Sequence, residues 1–309
     1  MTRTPRLHAS PYLLLTATAF FWALNWVTAR ALAGHVSPLV LAYLRWVVAL
    51  AAMIPFAWRE IRAHRAVIRR HWRSIAWLGF WGMGVQNAFS YEGLQYTTAT
   101  NGVILNSSVP VMIVVLAWAI YRETITRLQA LGVVISLAGI LAIITRGNFS
   151  ALAQLSLNKG DLIVLIGMGF WAAYTVFLRA KPPGLPPLAL LTCCGLVGFV
   201  LLTPLTLAEI LFFGGHAEMT PASVAAVLYV GTFPSLIAYI FWNRGVAEVG
   251  PQVAGIFMHL MPAFGVVLAW LFLGERLYLF HWAGIALILA GIALATRGEK
   301  RGVPEPIPE

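Results

Sequence analysis

The sequence predicts an all-α membrane protein, ten transmembrane helices arranged as two inverted five-helix repeats. Three observations carry that expectation. Of 309 residues, 60% are hydrophobic and only 10% charged, with a mean hydropathy of +0.81, which leaves too few polar side chains to cover a soluble globule. The chain also divides into ten apolar stretches near the roughly 20 residues needed to cross a hydrocarbon core of about 30 Å. Finally, residues 91–139 recur without a gap 152 residues later: Gly93 with Gly245, Pro110 with Pro262, Val-Leu-Ala-Trp at 115–118 with 267–270, Glu123 with Glu275, Gly132 and Gly139 with Gly284 and Gly291. Earlier in each half the offset is 149, pairing Trp22 with Trp171, Arg30 with Arg179, Pro38 with Pro187 and Pro55 with Pro204. The two copies are expected over 1–147 and 148–309. Frequent Pro and Gly and little period-2 alternation favour helices over the short strands of a barrel.

The first segment, 11–33, follows Arg3 and Arg6 and ends in Ala-Leu-Ala, the outline of a signal peptide. Cleavage is not expected, because the run is longer than a signal core and its Phe21-Trp22 recurs as Phe170-Trp171. Trp22, Asn25 and Trp26 share one helical face at mid-depth. Segment two, 37–57, carries Arg45 near its middle, where arginine costs roughly 2.5–3.5 kcal/mol on insertion scales and must face protein or water. Arg45 could clamp helix carbonyls or Glu92, or capture a carboxylate or phosphate. Segment three, 74–95, brings Gln86, Asn87, Ser90 and Tyr91 to mid-depth. Segment four, 98–121, places Asn101, Asn106, Ser107 and Ser108 ahead of Pro110. Segment five, 127–145, holds Gly132 and Gly139, expected to serve close helix packing.

In segment six, 160–180, Trp171, Tyr174 and Thr175 repeat the face pattern of segment one. Segment seven, 187–209, contains the two cysteines, adjacent Cys193 and Cys194, which read as small packing residues and report no disulfide framework or metal site. Segment eight, 221–243, offers Ser235, Tyr239, Trp242 and Asn243; segment nine, 250–273, has Met258 and His259 just before Pro262. A proline removes one backbone hydrogen bond and opens the turn before it, so Pro110 and Pro262 are expected to kink their helices at equivalent places. Segment ten, 278–296, carries Gly284 and Gly291.

Charge sets the orientation. With the N-terminus inside, sixteen Lys and Arg fall on the inner side and four, Arg30, Arg146, Lys159 and Arg276, on the outer. That satisfies the positive-inside rule and predicts both termini in the cytoplasm of a cell inner membrane. The net charge of +10 is therefore a topology signal touching anionic lipid, and no nucleic-acid partner is expected. Since five is odd, the second copy enters from the opposite side, and inverted repeats support alternating access to a substrate held near the midplane.

The candidate substrate contacts are Trp22, Trp171, Tyr174, Tyr239 and Trp242 for stacking, and Asn25, Asn87, Asn101, Asn106 and His259 for hydrogen bonds. Each alone reads equally well as helix packing; the set, concentrated in segments one, three, four, six, eight and nine, favours a lined cavity. Trp58, Trp72, Trp77 and Trp282 lie near helix ends, as an interfacial belt would. No Asp or Glu lies in the central third of any segment, which disfavours organic cations and suits neutral, zwitterionic or aromatic molecules. The isolated His and Cys groups give no basis for an enzyme, and neither cofactor nor metal is called for. A passive scaffold remains the third alternative.

Phe-Trp-Ala at 21–23 and 170–172, Ser-Pro before segment two with Leu-Arg-Trp at 44–46, Pro110-Val111 followed by Glu123, and Pro262 followed by Leu-Gly-Glu at 273–275 resemble the EamA-type carriers of the drug/metabolite transporter superfamily over the whole chain. The resemblance implies a five-plus-five carrier with segments five and ten peripheral. Among its members the aromatic cavity without a buried carboxylate looks most like the exporters of aromatic and other neutral amino acids. Export of nucleosides or other neutral metabolites or drugs, with proton exchange through His259, is the alternative. A duplicated chain needs no second subunit to complete its cavity, so a monomer binding a small-molecule substrate within the lipid bilayer is expected.

Overall fold

The computed structural model describes residues 10–32, 34–93, 96–97, 105–148, 158–273 and 276–297. Helix dominates them, and the one β contact among the described residues is an isolated antiparallel bridge between Val36 and Ala217. Among the described residues, seven helical runs are long and apolar enough to cross a membrane, and Val109–Tyr121 is a shorter apolar helix.

Local chemistry explains where these helices start. Pro38 and Pro187, counterparts in the two halves, each sit in the first turn of a 26-residue helix, Pro38–Ala63 and Pro187–Phe212, where the missing N–H has no intrahelical partner to lose. Thr126 and Asn158 close capping boxes with Gln129 and Asp161 over Arg127–Ile144 and Lys159–Phe177. Both 26-residue helices outrun their expected ends at 57 and 209 because no breaker follows. Pro55 and Pro204 are accommodated inside them.

The other segments are interrupted, and symmetrically so. Segment three is an α-helix over Trp72–Gly79, a π-helix over Phe80–Val85 and an α-helix again over Gln86–Gly93. In segment eight Pro221–Thr232 passes through a second π-helix, Phe233–Ile237, into Ala238–Ile256. Gly82 and Pro234, inside the two π-turns, stand 152 residues apart, as the repeat requires. Ahead of the equivalent prolines the backbone also departs from α-helix, as a turn at Ser107–Ser108 and as a 3₁₀ turn over Phe257–His259. The continuous apolar run Pro221–Leu268 has 48 residues. At 1.5 Å per residue it would reach about 72 Å, more than two bilayer cores. Gly250, at φ 81° and ψ 161°, breaks it.

Packing pairs the halves. Segment one lies against eight and nine, and its counterpart six against three and four; two lies on seven, and five on ten. On the last interface a Cβ at Gly132 would come within 2.5 Å of the Gly291 carbonyl oxygen, and one at Gly139 within 2.6 Å of the Gly284 oxygen. Because 132 meets 291 and 139 meets 284, Arg127–Ile144 and Leu279–Arg297 (segment ten) run antiparallel. Two and seven do likewise: the Glu209 carboxylate accepts from the free Val40 N–H at 3.0 Å at one end, while Trp46 touches Gly195 further along.

Candidate substrate site

Segments one, two, six and eight cross where the duplication places Trp22 against its own counterpart. The two indoles meet edge to face with centroids 5.0 Å apart. Trp242 lies 5.3 Å from Trp22 and 5.7 Å from Trp171, and Tyr239 lies 6.0 and 5.6 Å from the same pair. Tyr174 completes the group, 5.2 Å from Trp171. All five aromatic candidates thus form one cluster, every member at least nine-tenths buried. Trp46 of segment two joins it, 5.6 Å from Tyr239. In this structure the rings fill the crossing, so a ligand there has to part them.

The polar edges of these rings are held by the interruptions in segments three and eight. Trp22 Nε1 donates to the Pro234 carbonyl at 3.1 Å, and Tyr239 Oη donates to the Gly82 carbonyl at 2.9 Å. A π-turn redirects carbonyls away from the regular helical ladder, which is why such turns recur at functional sites. Here two equivalent π-turns each present one carbonyl to the cluster. A Cβ at Gly82 would fall 2.5 Å from the Tyr174 ring, so only glycine lets that backbone reach the aromatic group. Trp171 Nε1 contacts Met258 Sδ at 3.3 Å, and Tyr174 Oη donates to Asn243 Oδ1 at 2.7 Å.

Four buried polar atoms, on members of the cluster or on residues one helical turn from them, have no hydrogen-bond partner among the described residues: Asn25 Oδ1, Trp46 Nε1, Thr175 Oγ1 and Trp242 Nε1. Each unmet group costs about 1–3 kcal/mol in a water-free interior. Asn25 is one turn beyond Trp22, and Thr175 one turn beyond Trp171. The set holds donors and an acceptor and no formal charge.

The remaining polar candidates are differently placed. Arg45, 4% exposed, donates through Nε to Ser235 Oγ at 2.7 Å and through Nη1 to Asn87 Oδ1 at 3.2 Å. Asn87 Nδ2 donates in turn to the Met83 carbonyl at 3.0 Å, which occupies both ends of that amide. The arginine therefore ties segment two to three and eight through neutral oxygens. His259 is fully buried with both ring nitrogens engaged: Nε2 donates to the Ser107 carbonyl at 3.1 Å and Nδ1 pairs with Ser136 Oγ at 2.6 Å. Since a carbonyl only accepts, the hydrogen sits on Nε2. His259 thereby pins segment nine to four and five. Asn106 Nδ2 faces Met261 Sδ at 3.7 Å. Asn101 lies outside the described residues.

Sequence reasoning missed Trp46 and the two π-turns. The Phe-Trp-Gly-Met-Gly run at 80–84 and the Phe233-Pro234 step at the equivalent place were the available signals.

Near one end of the bundle, Arg179 at the end of segment six pairs with Glu123 after segment four and lies 5.5 Å from the Tyr121 ring centroid. The loops after segments one and seven are tied by the Val36–Ala217 bridge, by Ser37 N–H to the His216 carbonyl at 2.9 Å and by His35 Nδ1 with Glu218 at 2.7 Å. Bonds to the Gly34 and Gly214 carbonyls raise the His216 pKa above its ordinary 6.5, and the hydrogen bond to His35 lowers that of Glu218 below 4.5.

A model of the EamA-like transporter family matches residues 9–145 and again 158–297. The chain is 26% identical over 297 residues to the uncharacterized transporter YyaM of Bacillus subtilis, with 94% of each chain covered. It is 24% identical over 291 residues to an uncharacterized transporter of Archaeoglobus fulgidus, covering 94% of this chain and 98% of the relative. A solved crystal structure shares the fold at a TM-score of 0.75, with 20% identity over 94% of this chain and 98% of the other. Two matches that together span most of the chain, on a bundle of apolar helices, show that it belongs to the EamA-like transporter family and is a multi-pass membrane transporter, not an enzyme.

Proposed function

We propose that this transporter exports aromatic and other neutral or hydrophobic amino acids by alternating access, as a monomer driven by the substrate gradient. The observation that carries the reading is the aromatic cluster together with four buried polar atoms, on its members or one helical turn away, that have no partner among the described residues. An apolar side chain would insert between Trp22, Trp171 and Trp242. Its carboxylate would take the indole N–H groups of Trp46 and Trp242 and the Thr175 hydroxyl, while its ammonium would take Asn25 Oδ1. A zwitterion brings both charges with it, so the site needs no buried carboxylate of its own.

The proposed architecture is ten spans in two inverted halves divided near residue 147, in a cell inner membrane with both termini cytoplasmic. The antiparallel glycine contact of segments five and ten, the break at Gly250 and the symmetric π-turns support it. If the halves exchange environments between the two states, so do their hydrogen bonds. Trp171 would leave Met258 for the Gly82 carbonyl, and Trp22 would leave Pro234 for Asn106, the position equivalent to Met258. On this reading the asymmetric bonds belong to one state and the exchanged bonds to the other.

The test is flux of labelled tryptophan, phenylalanine, leucine and a nucleoside through the purified protein in liposomes, with and without a pH gradient. Saturable amino-acid flux indifferent to the gradient is the expected result. Nucleoside flux alone would keep the carrier and overturn the substrate.

A further inference from the structure

The connection between segments two and three carries a cationic face that lies outside the proposed substrate site. It stays helical through Pro38–Ala63, Arg65–Arg70 and Trp72–Gly79, with breaks only at His64 and His71. Each of those histidines bonds back through Nδ1 to a carbonyl four residues earlier, at 2.8 and 3.0 Å, which bridges the breaks. Ile61, Val67 and Ile68 turn inward against the core. The opposite face exposes six arginines, Arg59, Arg62, Arg65, Arg69, Arg70 and Arg73. None of the six makes an ion pair among the described residues. Glu60, the one acid in the run, is half-buried with Oε2 inside.

Tryptophans flank that face. Trp58, Trp72 and Trp77 are 51%, 59% and 56% exposed, and the guanidinium groups of Arg62 and Arg73 sit 5.1 and 5.6 Å from the ring centroids of Trp58 and Trp72. Indole side chains prefer the headgroup level of a bilayer, so they fix the depth at which the arginines lie. Guanidinium forks match phosphate oxygens two at a time. The equivalent connection in the second half, 213–220, contains no Lys or Arg, although its flanking helices match. In the proposed topology that connection lies on the opposite side of the membrane, so the arginine face belongs to the cytoplasmic side alone.

We infer that this face is a binding site for anionic phospholipid headgroups, which the arginines grip by their phosphates while the tryptophans set its depth. The ligand is a lipid in the plane of the membrane, not a free anion.

The full-length protein in neutral detergent is titrated with phosphatidylglycerol, phosphatidylcholine or inorganic phosphate, with bound lipid read by native mass spectrometry and the thermal midpoint in parallel. Phosphatidylglycerol is expected to bind and raise the midpoint, the other two to do neither, and high salt to weaken the effect by screening. Arg65→Gln/Arg69→Gln/Arg70→Gln is expected to lose about tenfold or more in phosphatidylglycerol affinity with flux in neutral liposomes unchanged. Equal binding of the two lipids, a response to inorganic phosphate alone, or an unaltered triple variant overturns the inference. If the variant misfolds, the salt titration of the wild type decides, since binding indifferent to salt is incompatible with headgroup charge.

Discussion

Two interfaces between the same duplicated halves are built in opposite ways. Segments five and ten meet through Gly132, Gly139, Gly284 and Gly291, backbone on backbone, with no room for a methyl group and, among the described residues, no buried side-chain polar atom without a partner. Segments one and six meet through Trp22 and Trp171, inside a group of large rings; on those rings or one helical turn away, four buried polar atoms have no partner among the described residues. The first interface is complete as it stands. The second is stable only while its rings fill the space and leaves hydrogen-bonding capacity unspent. Close glycine contact suits an axis that stays fixed, and the aromatic crossing suits a place that opens.

The largest effect should fall on the fixed interface. Gly132→Leu places side-chain atoms where the Gly291 oxygen already lies, and should destabilise the fold by about 3 kcal/mol, the upper end for overpacking. Thermal unfolding of the purified variant reads it directly. A midpoint within a degree or two of wild type would mean that this interface can move after all, and the contrast would fail.

Tyr239→Phe removes the hydrogen bond to the Gly82 carbonyl, a loss of about 1 kcal/mol, while keeping the ring. The closed arrangement should loosen, seen as faster labelling of a cysteine introduced beside the cluster. Unchanged labelling would remove the π-turn carbonyl from the account.

Asn25→Leu is the sharper test of the rim. Because Asn25 Oδ1 has no partner here, an apolar residue of similar size should leave stability level or slightly raised while flux falls about tenfold, the share of one missing hydrogen bond. Loss of stability together with flux would return Asn25 to a packing role. Asn106→Leu should likewise retain this conformation and slow exchange to the other, since Trp22 would lose its alternative acceptor.

The smallest effect concerns the tie between the 34–37 and 214–220 loops. The raised His216 pKa adds stability that is complete below 6.5 and lost as pH rises through its folded value. The lowered Glu218 pKa adds stability that is complete above 4.5 and lost as pH falls through its folded value. Amide exchange in these loops should therefore be slowest between about pH 4.5 and 6.5 after correction for intrinsic rates, and both groups are exposed enough for salt to flatten the minimum.

The sequence by itself determined the membrane class, the duplication and the family, because those rest on composition and on residues that recur at fixed offsets. It also named the rings: Trp22 and Trp171 stood out as counterparts in apolar helices, and the structure brings them together with centroids 5.0 Å apart. Only the tertiary structure decided which polar groups are spent. His259 and Asn87 looked as available as Asn25 along the chain, yet a buried group's availability depends on what other helices present to it. Ser107 and Ser136 engage both nitrogens of His259, Arg45 and Met83 engage Asn87, and nothing among the described residues reaches Asn25 Oδ1. The π-turns were equally hidden, since hydropathy reports that a stretch is apolar and not how its carbonyls are aimed.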